Sequence, residues 1–281
     1  MLENFNEQYI RDKNGISQPL VNHSTSSGDG LTSVYFRNIE KNLINHIMSA
    51  DVVVGAVAWL TSRKVLEALS TRRGVALVVN KEDFLRFDFN SSQESYNEWR
   101  EEQRDLYECL PGLSNFFRTG ELIDNLTASL DPIRCVGTFT KSNKSKPRMH
   151  NKFILFCKMV TVEHGYGKER KVEYFYENNH WKQKTIEYNE CNNYSLYSNG
   201  YYDPGFVIGF NYIKPYAVWT GSFNFSKTAS QSFENALYIL DRSIVQAYFS
   251  EWSQLTALSE PLDWESVSIS PEWMIGDYAI D

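Results

Sequence analysis

Apolar positions along the chain change period several times, and each change marks a different element. Tyr35, Ile39, Leu43, Ile44 and Ile47 recur at helical spacing and predict an amphipathic helix. The segment Asp51–Ala58 is an almost unbroken apolar run, too short for a buried helix, and predicts a strand covered on both faces. Thr61 stands where a helix cap is expected, ahead of Val65, Leu66 and Leu69, and Gly74–Val79 repeats the buried-strand pattern. Residues 93–109 read as a charged amphipathic helix stopped by Pro111 and Gly112. Apolar runs at Ile133–Val136, His150–Phe156, Tyr216–Thr220 and Ala236–Leu240 predict further strands, and Ser243–Leu258 a last long helix. Helices alternating with strands that are apolar on both faces require a sheet covered on both sides. The expected class is therefore α/β, with helices layered on a central sheet.

Two segments break the rhythm. Residues 1–31 are polar and rich in Ser, Asn and Gly, and are expected to form a loosely ordered N-terminal arm ahead of a single domain over 32–281. Residues from about 160 to 212 are polar, full of Tyr and Asn, and without a sustained period. This stretch is expected to be an insertion. Its aromatics (Tyr174, Phe175, Tyr176, Trp181, Tyr188, Tyr194, Tyr197, Tyr201 and Tyr202) fit either the core of a small β-rich subdomain or a surface on which bases stack.

Composition narrows the class. The chain has 42% apolar and 22% charged residues, as ordinary globular proteins do. No apolar run approaches the ~18 residues of a membrane span, and the N-terminal stretch has no apolar leader core. A cytoplasmic protein without a membrane association is expected. Cys109, Cys135, Cys157 and Cys191 are scattered, as reduced thiols are in that compartment. The net charge of −7 argues against indiscriminate coating of nucleic acid, while leaving room for a locally basic groove. His164, His180 and Cys191 lack metal-ligand spacing, and neither metal nor other cofactor is expected.

The chemistry gathers in two segments. In Met149-His150-Asn151-Lys152, a strand would place His150 and Lys152 on one face by its two-residue period. The second segment, Gly221-Ser222-Phe223-Asn224-Phe225-Ser226, follows an apolar strand, with Glu234 beyond it. His150, Lys152, Ser222, Asn224 and Glu234 together suit phosphoryl transfer. That reaction needs a nucleophile, donors for the nonbridging oxygens, and a group that orients the nucleophile. Each half alone has a plainer reading: a strand-end histidine beside a solvated lysine, or a tight turn stabilised by Asn224.

His-x-Lys followed by Gly-Ser-x-Asn and then Glu234-Asn235 resembles the phospholipase D superfamily, most closely its single-motif bacterial endonucleases. The resemblance spans roughly residues 33–258, although the specific motifs occupy a small part of it. It implies a phospholipase D-like α/β/α sandwich with a central mixed sheet, here with a β-rich insertion at about 160–212. It also implies roles: His150 attacks phosphorus to form a phosphohistidine, Glu234 fixes its tautomer, and Lys152, Asn224 and Ser222 hold the developing charge. One motif per chain implies a homodimer with the active site at the twofold interface, where His150 of a second copy is the acid. The chain departs from the family pattern in three places. Cys157 stands where an Asp is common, the interval from Asn224 to Glu234 is slightly short, and the insertion replaces a hairpin.

The resulting expectation is a metal-independent endonuclease acting on DNA, with RNA also open, in restriction or anti-phage defence. Lys141, Lys144, Lys146 and Arg148 form a basic run, of which Lys144, Lys146 and Arg148, with Gly221, are the expected substrate-binding set; such a run is equally a solvated loop. Trp59 is expected in the core or in a dimer contact. Two other readings compete: a phospholipid phosphodiesterase or phosphatidyltransferase, and a module that grips nucleic acid without cutting it. An acidic chain with a long insertion beside its site also suits a regulatory partner protein that uncovers the groove.

Overall fold

The computed structural model describes residues 4–82, 92–113, 117–118, 122–123, 130–137, 148–165, 168–177, 180–190, 207–262, 269, 271 and 274–275. A one-turn 3-10 helix at Phe5–Glu7 precedes the short strands β1 (Tyr9–Arg11), β2 (Ser17–Pro19) and β3 (Thr25–Ser26). There follow β4 (Thr32–Tyr35), α1 (Ile39–Ser49), β5 (Val52–Val57), α2 (Arg63–Ser70), β6 (Gly74–Asn80) and α3 (Glu94–Glu108). After β7 (Phe117–Arg118), β8 (Leu122–Ile123) and β9 (Ile133–Val136) come the long strands β10 (Lys152–Gly165), β11 (Lys168–Glu177), β12 (His180–Glu190) and β13 (Val207–Gly221). The chain continues through α4 (Lys227–Gln231), β14 (Ala236–Ile239), α5 (Arg242–Ala257), β15 (Glu260–Pro261) and β16 (Met274–Ile275).

One mixed sheet dominates, in the order β15-β9-β6-β5-β10-β13-β14-β4-β3, with β7, β11 and β12 attached. β5, β6 and β9 run parallel, whereas β10, β13, β14 and β4 succeed one another antiparallel. Alternation along the strands divides the core in two. Val53 and Val57 of β5, Ile154 and Phe156 of β10, and Trp219 of β13 face Leu43 and Ile47 of α1 and Leu66 and Leu69 of α2. Val52, Val54, Phe153, Leu155 and Val218 face the opposite way, against Val245, Phe249 and Trp252 of α5. The result is a mixed α/β fold in three layers.

Several boundaries differ from expectation, each for a local reason. Tyr35 ends β4 rather than opening a helix, because its backbone pairs with Ala236. The cap of α2 is Ser62, whose hydroxyl accepts the Val65 amide, and not Thr61. The N-terminal arm is not a loose coil over its described residues. Asp12 accepts the amides of Asn14 and Ile16 and, with Gly15 at φ 79°, closes a β1–β2 hairpin. Ser27, Asp29 and Gly30 make the turn that joins β3 to β4. The Ser, Asn and Gly content of this arm therefore encodes turns.

Over its described residues, the stretch expected as a β-rich insertion is strand. β10 and β13 run on past the three-layer body as a paired ribbon, with β-bulges after Phe156 and Val162, and β11–β12 adds a hairpin alongside. Val160, Thr161, Val162 and Val172 are buried, and Thr161 donates to Asn211. On β12, Lys182–Tyr188 are all exposed, which hid the two-residue period.

Candidate active site

The candidate residues meet where β5, β6 and β13 end and β10 and β14 begin. Ligands of α/β sheets bind at the carboxyl ends of parallel strands, and β5 and β6 are parallel here. Two hydrogen bonds fix the approach to β10: the Ala58 amide to the Asn151 carbonyl (2.8 Å) and the Met149 amide to Asn80 Oδ1 (3.1 Å). His150 is thereby exposed just ahead of the strand, not on it as the sequence suggested. The strand starts at Lys152, which is paired with Val57, the last residue of β5.

Strand alternation is therefore not what joins His150 to Lys152. The lysine folds back instead. Its Nζ lies 3.2 Å from both ring nitrogens of His150 and 3.0 Å from the His150 carbonyl oxygen. Equidistant from the two nitrogens, the ammonium faces the imidazole ring as a whole. Trp59 closes the other side. Its ring meets His150 edge-on at 5.5 Å, and Lys152 Nζ is 6.0 Å from its centroid. Trp59 thus borders the site. Its indole N–H donates to Glu82, which also accepts from Asn80 and pairs with Arg148 at 3.4 Å.

Gly221 carries the second half. A Cβ there would lie 2.3 Å from the Asn235 carbonyl oxygen, so only glycine lets β13 approach the start of β14 this closely. Ser222 and Asn235 are locked together by Ser222 N to Asn235 O (3.1 Å) and Asn235 N to Ser222 Oγ (3.0 Å). The Ser222 hydroxyl donates to the Glu234 carboxylate. Phe223 and Phe225 are fully buried anchors, and the Phe225 carbonyl accepts the amides of Thr61 and Ser62, tying this loop to the β5–α2 turn. Ser226 caps α4. Between the anchors, the Asn224 amide oxygen is buried without a partner, a position that polar groups rarely keep unless a ligand meets them.

Electrostatics join the halves. Burial holds the Lys152 ammonium below the usual lysine range, and the negative charge of Glu234 opposes that shift. Glu234 makes no hydrogen bond to His150 in this structure. Its carboxylate accepts the hydroxyl of the neighbouring Ser222. Lys141, Lys144 and Lys146 lie outside the described residues; Arg148 is exposed and paired with Glu82. Asn80, Glu82, Arg37 and Phe233 also border the site and were not singled out by sequence. Asn80 and Glu82 could have been noticed as polar residues directly terminating a buried strand.

Among the described residues, no group of three or more His, Cys, Asp or Glu side chains is placed to hold a metal ion. Among them, too, no helix is long and apolar enough to cross a membrane. Cys135 and Cys157 are buried thiols and Cys109 an exposed one, none of them in a disulfide, while Cys191 lies outside the described residues. Burial, with the Asp51 carboxylate, pushes the Cys157 thiol far up, which makes it inert.

No family model matches the chain. It is 26% identical over 254 residues to uncharacterized protein L381 of Acanthamoeba polyphaga mimivirus, covering 87% of this chain and 72% of that protein. Among solved structures it is similar to NucT from Helicobacter pylori, with a TM-score of 0.41 and 12% identity over 82% of this chain and 98% of that one. It is also similar to Nuc from Salmonella typhimurium, described as a phospholipase D family member. There the TM-score is 0.37 and the identity 13%, over 82% of this chain and 95% of that one.

Proposed function

We propose that the chain is a phospholipase D-type phosphodiesterase that cuts nucleic acid, DNA first, through a phosphohistidine intermediate. The observation that carries this reading is the contact of exposed His150 with the largely buried Lys152, beside the Ser222–Glu234 pair. Neutral His150 attacks phosphorus and forms a P–N bond while the P–O bond to the leaving oxygen breaks. Lys152, Asn224 and Ser222 surround the nonbridging oxygens, where charge shifts in the transition state. Glu234 keeps Lys152 charged in a site whose burial disfavours that charge. The leaving oxygen takes a proton from His150 of a second copy across a twofold axis. That imidazole, now neutral, removes a proton from water, which attacks phosphorus, breaks the P–N bond and frees the phosphomonoester.

No step in this scheme passes through a metal. The test is incubation of the purified protein with labelled single-stranded DNA, double-stranded DNA and RNA in excess EDTA, beside His150→Ala. The expected result is cleavage by the wild type, with 5- or 3-phosphoryl ends, that falls below detection in the variant. Cleavage that needs added metal, or that survives in His150→Ala, refutes the histidine mechanism. Turnover of phospholipid headgroups in place of polynucleotide assigns the site to lipid, and tight binding without turnover makes the chain a binding module. The twofold scheme has its own check: a mixed dimer of wild type and His150→Ala keeps a single imidazole at the shared site and should be inactive, whereas a hybrid with half the wild-type rate refutes the scheme.

A further inference from the structure

Next to Ser222 and Glu234 the surface opens into a pocket of about 390 Å³, and the chemistry above uses only one of its walls. The other wall is Phe36, Arg37 and Phe233. These residues meet because β4 and β14 are antiparallel with Tyr35 opposite Ala236, so the residues leaving β4 and those entering β14 emerge side by side. Asn38, at φ 55°, then turns the chain sharply into α1 and leaves Arg37 at the pocket.

Arg37 is a guanidinium with unmet capacity. Its Nη1 donates to the Phe36 carbonyl at 2.7 Å, its Nε is buried without a partner, and it forms no ion pair among the described residues. Its Cζ sits 5.3 Å from the centroid of Phe233. Phe233 is 57% exposed and leans against Phe5 at 5.5 Å. An underused guanidinium next to an exposed aromatic ring is the pair of groups that a nucleotide satisfies, phosphate on the first and base on the second. In a chain of net charge −7, the cations that face phosphates must be placed locally, and the pocket also holds the Glu234 carboxylate, which would repel an unescorted phosphate.

The geometry points to a nucleotide-binding subsite built from Arg37 and Phe233. In it, Arg37 binds the phosphate adjoining the scissile one and Phe233 stacks on the intervening base, which makes the substrate a polynucleotide. The subsite rests on the proposed phosphodiesterase reading for its place in the reaction, but its binding is measured separately.

The probe is a fluorescein-labelled single-stranded oligodeoxynucleotide, titrated by anisotropy against full-length His150→Ala across a salt series. Adding R37Q weakens binding about tenfold or more. It also flattens the slope of log Kd against log salt by about 0.7, the signature of one lost phosphate contact on a single strand. R37K retains the slope, and F233L weakens binding roughly fivefold or more while leaving the slope unchanged. A slope unaltered by R37Q, equal weakening at every salt concentration, or no binding by His150→Ala overturns the subsite. Wild-type cleavage, assayed in parallel, reports on the chemistry. No cleavage with the slope change present removes the enzyme reading alone, and cleavage without the slope change removes the subsite alone.

Discussion

Replacing Gly221 with alanine tests whether the seam between β13 and β14 sets the geometry of the site. The added Cβ would meet the Asn235 carbonyl oxygen at 2.3 Å, the Ala236 Cα at 2.8 Å and the Asn235 carbonyl carbon at 3.1 Å. All three are backbone atoms, so no rotamer change relieves the clash. Restoring carbon contacts of roughly 3.5 Å moves the start of β14 by about 1 Å. Overpacking of this kind costs about 1–3 kcal/mol, which urea unfolding resolves as a lower midpoint with unchanged slope. The functional effect should be larger. Glu234 and Ser222 flank that seam, and displacing catalytic groups by 1 Å costs on the order of 10²-fold in rate. The assay is oligonucleotide cleavage by protein shown to be folded by circular dichroism. Wild-type rate and wild-type midpoint would refute the close-approach argument. A lowered midpoint with an unchanged rate would show that the positions of Ser222 and Glu234 do not limit the reaction.

Other substitutions probe separate links. Glu234→Gln removes the charge that opposes the downward shift of Lys152, so Lys152 loses its proton at lower pH. The alkaline limb of the pH–rate profile should move to lower pH, and a limb that stays put or rises contradicts the assigned coupling. Lys152→Met removes the cation facing the nonbridging oxygens and should lower kcat about 10²–10³-fold with the fold retained; a loss under fivefold would place the lysine outside the reaction. Trp252→Ala empties a fully buried position and removes the indole N–H that donates to the Ala76 carbonyl at 3.1 Å. The expected destabilisation is about 3–5 kcal/mol in chemical denaturation, and a change below about 1 kcal/mol would mean α5 contributes little to the core beneath it.

What was legible in the sequence was whatever a short window carries. β5 and β6 are covered on both faces, so an unbroken apolar run announces them, and α1, α2 and the last helix show a 3.6-residue apolar stripe. The residue types at 150, 152, 221, 222, 224 and 234 likewise carry a chemical pattern that spacing alone suggests. The insertion was harder to read as strand because much of β11 and β12 pairs outside the core. There the outward side chains are polar and the period disappears, although β11 and β12 still pair antiparallel along their length, with one register shift at Lys171/Val172.

Only the tertiary structure decided which groups touch. Lys152 reaches His150 by folding back because β10 begins opposite the last residue of β5, a register set between segments far apart in the chain. The same nonlocal pairing puts Trp59, Asn80 and Glu82 around His150, and the β4–β14 register brings Arg37 to Phe233 and Glu234. The hydrogen bond that Glu234 makes, accepting from Ser222, is likewise a product of the fold. Local periodicity states how far each element is buried. The convergence of polar groups on one point depends on strand register, and register is chosen by the packing of the whole sheet.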